Sequence, residues 1–269
     1  MNHSTRSCIV ASAFALSALL PPAAAAQLSS AEYFSKLLND TPQSERLTSN
    51  GVTVGNARWW RVTNKKSSYA GLTLLFIDLD LKLVGVTIDD RAGNDLTSTA
   101  IASPLLIASG MAASPKMGGL VPERGGGVLV RCNENVAVLP AEMAAAAQRS
   151  CRSGLQILPS KKLLIYNGNP ANSGYDLGAN RLAVGTGSGR LFIAGAFDDL
   201  GLALPLRDFT QFIVLAAARA NLARPSAIDL AGACSAQVDF NGSPPHRFGG
   251  CGRAQSFVNR IVVSKRGAS

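Results

Sequence analysis

The chain has 269 residues, 47% of them apolar and 16% charged, with a formal charge of +9 at pH 7. That apolar content is ample material for a core, and the length suits one large domain or two small ones; with no long linker or charge run, one is favoured. Scattered Arg and Lys without aromatic interleaving, together with an export-type N-terminus, speak against a nucleic-acid partner. The positive excess suits an anionic surface such as phosphorylated polysaccharide or lipid headgroups, a plain solvated basic face being the other reading.

Residues 1–26 have the pattern of a signal peptide: Arg6 at the start, an apolar run at 9–20, Pro21 and Pro22, then Ala24, Ala25 and Ala26 before Gln27. The run is too short to span a membrane, and no later stretch reaches about 18 continuous apolar residues. Export to the periplasm or medium is therefore expected, with no stable membrane insertion and with Arg6 lost from the charge. Cys8 leaves with the signal, and Cys132, Cys151, Cys234 and Cys251 remain. Their even number in an oxidising compartment favours disulfides, and of three connectivities proximity favours Cys132 with Cys151 and Cys234 with Cys251. Zinc is disfavoured, because no Cys-x-x-Cys pair exists and the mature chain has one histidine, His246.

After the signal, Ser30 can cap a short helix at 31–38, followed by a polar linker at 40–49, so 27–50 is expected as an N-terminal helix and linker ahead of the domain at 51–269. Runs of β-branched and aromatic residues at 52–62, 71–79 and 82–88 predict neighbouring strands. Trp59 and Trp60 then lie on opposite faces, one of them available to stack on a sugar or to pack under a loop. Residues 99–113 are apolar enough for either a helix or a buried strand, and a helix interrupted at Pro104 is the preferred expectation. A hairpin is expected between 118–121 and 127–131, and an Ala-rich helix over 140–148, inside the span closed by Cys132 and Cys151.

Strands at 155–158, 162–166, 181–185 and 190–196 continue the pattern, with a polar lid or connector at 167–174. Gly185-Thr-Gly-Ser-Gly189 is read as a hairpin turn, because a dinucleotide loop would have to lead into a helix and Leu191-Phe-Ile193 is strand-like. Phe209, Phe212, Ile213, Ala216, Ala217 and Ala220 form one apolar stripe at helical spacing, with Pro205 just before the first turn. Residues 227–242 read as strand, tight small-residue turn, strand. The fold class is α+β, a mixed and largely antiparallel sheet with a few packed helices.

Several chemistries fall away. His246 lies in Ser-Pro-Pro-His-Arg, read as a loop, and no Gly-x-Ser-x-Gly elbow accompanies it, so a Ser-His-Asp or Cys-His site is not supported. Asp89-Asp90 and Asp198-Asp199 are the paired carboxylates, but adjacent strand residues face opposite ways and do not chelate. No cofactor is expected.

The stretch Ala227-Ile-Asp-Leu-Ala-Gly-Ala-Cys-Ser resembles the Ala-Leu-Asn-Leu-Asp-Gly-Gly-Gly-Ser turn of the phosphodiester glycosidase family. Lys162-Leu-Leu-Ile-Tyr-Asn-Gly168, Arg181-Leu-Ala-Val-Gly185, Gly201-Leu-Ala-Leu-Pro205 and Phe257-Val-Asn-Arg-Ile-Val-Val263 are similar to family segments in the same order, over about 110 residues. The resemblance implies hydrolysis of a sugar 1-phosphodiester, typically of N-acetylglucosamine, with a phosphorylated carbohydrate or polysaccharide as partner. It implies Asp229 and Asp198 as candidate carboxylates for catalysis, Arg181 as a ligand for phosphate or a partner for a buried carboxylate, and Gly232, Asn241 and Asn259 as substrate-binding positions. The chain departs from the family at Ala231, where the family has its carboxylate, and at Ala233-Cys234, where it has Gly-Gly. Residues two apart on a strand share a face, so Asp229 is expected to point the same way as Ala231 and to carry the displaced acid. The alternative is a catalytically degenerate sugar-phosphate or polysaccharide binding protein of the cell envelope.

Overall fold

The structure, a computed structural model, describes residues 29–65, 67–89, 104–110, 125–171, 178–200, 203–232, 235–241, 245–249 and 259–266. The signal-like segment, Cys234 and Cys251 lie outside these residues. In chain order the elements are α1 (Ser30–Leu37), β1 (Gln43–Ser49), β2 (Val52–Arg61), β3 (Thr73–Asp80), β4 (Val84–Asp89), β5 (Leu106–Gly110), β6 (Gly127–Cys132) and β7 (Asn135–Pro140). A 3-10 turn (Ala141–Met143) leads into α2 (Ala144–Ser150), β8 (Leu155–Ser160), β9 (Leu163–Tyr166), β10 (Asn169–Pro170), β11 (Arg181–Gly187) and β12 (Arg190–Phe197). Then come α3 (Leu206–Arg219), β13 (Ser226–Gly232), β14 (Gln237–Phe240), β15 (His246–Gly249) and β16 (Asn259–Lys265).

An eight-stranded sheet runs β1-β2-β3-β12-β11-β13-β9-β10, a five-stranded sheet β15-β14-β5-β16-β4, and a three-stranded sheet β7-β6-β8. Their pairings are antiparallel, in keeping with the expected α+β class. The central strands are apolar on both faces because both faces are covered. Leu191 and Ile193 of β12 join a core shared with the two smaller sheets, while Phe192, Ala194 and Ala196 face α3. The expected stripe on α3 is what it buries: Phe209, Phe212, Ile213 and Ala217 are fully buried. Close packing beneath it needs a missing side chain, since a Cβ on Gly185 would stand 2.1 Å from the Phe192 ring.

The turn between β11 and β12 is a two-residue hairpin at Ser188 and Gly189, with φ of 52° and 71° and Gly187 opposite Arg190. This is the left-handed backbone that such a tight turn demands, and it bears out the hairpin reading over a cofactor loop. Trp59 and Trp60 take opposite faces as expected, Trp60 buried against α3 and Trp59 at the inter-sheet core. Cys132 and Cys151 form the expected disulfide, with Cα atoms 5.7 Å apart, joining the end of β6 to the end of α2.

Five expectations are corrected. Helix α1 starts one residue early, because Ser29 rather than Ser30 caps it and Glu32 closes a capping box on Ser29. The polar segment read as a linker contributes β1: only Leu47 is buried along it, as suits an outermost strand, and polarity alone cannot tell such a strand from a connector. Within 99–113 the described residues form β5, inserted between β14 and β16, where both sides of the strand are covered and an unbroken apolar run is stable as strand. β6 takes β7 and β8 as partners on both edges, so its hairpin is not with 118–121, which lie outside the described residues. His246 opens strand β15 instead of lying in a loop.

Candidate functional site

One pole of the eight-stranded sheet gathers the candidate residues. β11 begins there and β12 and β13 end there, with Arg181 opposite Ala196 and Gly232. The second sheet presents the matching ends: Asn259 opposite Gly110, and Gln237 opposite both Ser109 and Gly249. The sheets meet where Phe197, the last residue of β12, stacks on Phe248 with ring centroids 6.4 Å apart. Gly249 makes this approach possible: a Cβ there would lie 2.1 Å from the carbonyl oxygen of Ala236 and 2.7 Å from the Phe197 ring.

The register of β13 decides which residues face this pole. Leu182 pairs with position 231 and Ala183 with Asp229, so Leu230 is an extra residue and the strand is bulged there. Because Leu182 and Ala183 belong to cores on opposite faces of the sheet, Asp229 and position 231 do not share a face. The expected alternation fails because a bulge resets the period of two. Its consequence is that Asp229 registers on the same face as Arg181 and Gly232.

Backbone contacts hold the bulge. Ser160 Oγ, on a residue only 5% exposed, donates to the Asp229 carbonyl oxygen at 2.6 Å, and the Asp229 N–H donates to the Lys162 carbonyl at 3.0 Å. The turn from β8 to β9 thus takes up the Asp229 backbone groups where the β9 pairing of β13 stops, at Ile228. Arg181 Nε donates to the Leu204 carbonyl at 3.2 Å, and its Nη1 lies 4.0 Å from Asp229 Oδ2. The Arg181 side chain is 6% exposed and that of Asp229 15%, so an anchored cation sits behind a carboxylate at the rim. Of the two readings of Arg181, partner of a carboxylate is the one its geometry displays.

Asp198 stands at the same pole in another setting. Its Oδ1 accepts from the Leu200 N–H at 3.0 Å, while its backbone N–H donates to Asn180 Oδ1 at 2.8 Å and its carbonyl accepts from Asn180 Nδ2 at 3.2 Å. This pair of bonds ties the end of β12 to the residue before Arg181. Asn259 reaches the pole through its backbone pairing, but Asn241 does not. Asn241 lies past the other end of β14, where its N–H donates to the Leu105 carbonyl at 3.0 Å and Nδ2 to that of Pro104 at 2.6 Å. The length of β5 separates the two asparagines, about 13 Å along the strand. Arg181, Asp198, Asp229, Gly232 and Asn259 therefore gather, and Asn241 is elsewhere.

Sequence reasoning missed Ser160 and Asn180, since nothing local distinguishes a serine or asparagine beside a turn from one that reaches another strand. It also missed Asp78, whose signal was visible as a charge within the apolar run of β3. Among the described residues, no group of three or more His, Cys, Asp or Glu side chains converges, and no helix is long and apolar enough to cross a membrane.

The sequence matches no protein-family model and no curated protein. Among solved structures, the chain is similar to the zebrafish N-acetylglucosamine-1-phosphodiester alpha-N-acetylglucosaminidase catalytic domain auto-inhibited by pro-peptide. The likeness has a TM-score of 0.56 at 15% identity and covers 84% of this chain and 89% of that chain. At that identity it is a likeness of fold, and the fold is phosphodiester-glycosidase-like.

Proposed function

We propose that this protein is an exported hydrolase that cleaves a sugar 1-phosphodiester, of the N-acetylglucosamine-1-phosphodiester kind, at the pole where Arg181 meets Asp229. The observation that carries this reading is the bulge at Leu230, which sets a rim carboxylate 4.0 Å from an anchored guanidinium within that fold.

The chemistry asks little of a general acid, because a phosphate ester leaves readily with the electron pair of the C1–O bond. The demand falls on the positive charge developing at C1 and on the incoming water. Asp229 supplies negative charge beside C1 and takes the proton of the water whose oxygen bonds there. Arg181 orients Asp229 and adds a positive charge that favours the phosphate, a task suited to a guanidinium fork. Gly232, opposite Arg181, leaves backbone unshielded by a side chain, and Asn259 flanks it from β16. Asp198 is the second carboxylate of the pole, and its bonds to Leu200 and Asn180 give it a part in shaping the rim.

The second reading, a sugar-phosphate or polysaccharide binding protein without turnover, is favoured by Ala231, which stands where the resembling family has its carboxylate. The deciding experiment incubates purified, oxidised protein with a panel of aryl and uridyl N-acetylglucosamine phosphates and measures release of the phosphate ester. Turnover that disappears in Asp229→Asn supports the hydrolase. No turnover by the wild type, with turnover gained in Ala231→Asp, establishes the binding protein instead.

A further inference from the structure

A second cluster lies away from Arg181, at the seam where the outermost strands β1 and β15 of the two larger sheets come together without pairing. There Trp59 of β2 meets His246 and Phe248 of β15 at ring-centroid distances of 4.9 and 5.6 Å, over a buried Phe240 at 6.3 Å. Trp59, His246 and Phe248 are each only partly buried. Glu45 and Gln43, successive same-face positions on β1, stand beside these rings.

Two details of this seam point to a ligand. His246 Nε2 and Glu45 Oε2 lie 3.9 Å apart, with side chains 23% and 31% exposed. That separation is too long for a hydrogen bond and suits one bridging hydroxyl oxygen, which could donate to the carboxylate and engage the imidazole. The Trp59 indole N–H, in contrast, already donates to Gln43 Oε1, which leaves the ring surface of Trp59 as its contribution to binding.

We propose that this seam is a carbohydrate site in its own right, taking a pyranose ring. Such a ring has an apolar C–H face to lay on the aromatic side chains and hydroxyls at its edge to enter the gap between His246 and Glu45. The aromatic strip continues from Trp59 through Phe248 to Phe197, at the end of β12, so the site adjoins the Arg181 pole without sharing a residue with it. It stands on its own geometry and does not require the protein to be a hydrolase.

The test titrates N,N′-diacetylchitobiose, and uridine as a planar comparison, into the full isotope-labelled protein while following the two tryptophan indole N–H resonances by NMR. The expected result is a saturable shift of Trp59 with Trp60 unmoved, and stronger binding of the disaccharide than of uridine. Glu45→Ala, a rim change that leaves the rings in place, should weaken binding by about tenfold. Asp229→Asn should leave it unchanged. A Trp59 resonance that does not move with sugar, or an affinity untouched by Glu45→Ala, overturns the site, and preferential uridine binding overturns the ligand class. Absence of turnover on the phosphodiester panel overturns only the hydrolase reading, because this assay reads binding.

Discussion

Two arginine-carboxylate groups lie on the same face of the eight-stranded sheet, at opposite ends, and they are built differently. At one end Asp78, 3% exposed, accepts from Arg58 Nη2 at 2.5 Å through one oxygen and from Arg190 Nη2 through the other. Both oxygens are held by guanidinium groups, and the triad staples β2, β3 and β12. At the other end Arg181 and Asp229 stand 4.0 Å apart, beyond hydrogen-bond distance, with the carboxylate at the rim. The same residue types thus make a close triad in one place and a more widely spaced pair in the other. Burial and distance separate the two, the Asp78 side chain being 5% exposed and that of Asp229 15%.

The largest effect on stability is expected from Asp78→Ala, which leaves two partly buried guanidinium groups without their shared partner. A loss of about 3 kcal/mol is expected, discounted because both arginines keep some exposure, and it is read as a lower denaturation midpoint. If Asp229→Asn lowers the midpoint as far, the contrast between the close triad and the more widely spaced pair is broken. The expectation is instead a loss of turnover or sugar-phosphate affinity, with a stability change of about 1 kcal/mol.

The disulfide sharpens the comparison from outside the large sheet. Cys132→Ser with Cys151→Ser should cost about 3 kcal/mol in thermal or denaturant unfolding. It should leave the ligand affinity of the Arg181 pole intact, because the bridge braces β6 and α2. Peptide mapping without reductant should recover that bridge together with the proposed Cys234 to Cys251 bridge.

A smaller effect is expected where α1 docks. Tyr69 donates through its hydroxyl to Asp208 Oδ2 at 3.0 Å, and burial first, then the charge of Asp208, push its pKa upward. Tyr69→Phe should cost about 1 kcal/mol at neutral pH. Since the folded value is raised above the unfolded one near 10, the protonated tyrosine stabilises the fold fully below about pH 10 and loses that contribution as pH rises further. Alkaline unfolding should therefore be steeper in the wild type than in Tyr69→Phe.

The smallest effect is expected at Glu32. Its pKa is lowered first by the backbone N–H of Ser29 and then by the Ser29 hydroxyl. A depressed carboxylate contributes above its unfolded value and loses that contribution as pH falls. Glu32→Gln should fray α1 slightly near neutral pH, with the difference from wild type fading in acid, as measured by amide exchange in the first turn.

Much of the fold was legible because it rests on local pattern. The stripe from Phe209 to Ala220 requires a packed helix wherever it sits, and Ser188-Gly189 requires a hairpin between two strands. The segments that misled were those whose local pattern does not decide: β1 reads as polar connector, and β5 lies in an apolar stretch read by preference as helix. What settles each is a neighbour far away in sequence, β2 for the first and β14 with β16 for the second. At the site, Arg181, Asp198, Asp229, Gly232 and Asn259 were identified by order and resemblance and do lie at one pole. Asn241 was named with them, but it lies past the end of β14 away from that pole, bonded to Leu105 and Pro104.

By itself the sequence determined much of the alternation of strands and helices, a preference for pairing Cys132 with Cys151, and the short list of carboxylates and arginines available for chemistry. These follow from periodicity, from spacing and from the residue types present. Only the tertiary structure decided that Asp78 is held between Arg58 and Arg190, and that Asp229 faces Arg181 rather than sharing a face with position 231. A single extra residue at Leu230 makes the difference. It reverses the alternation of the strand, and it is visible only once β11 lies alongside β13 and Ser160 reaches across to hold the bulge.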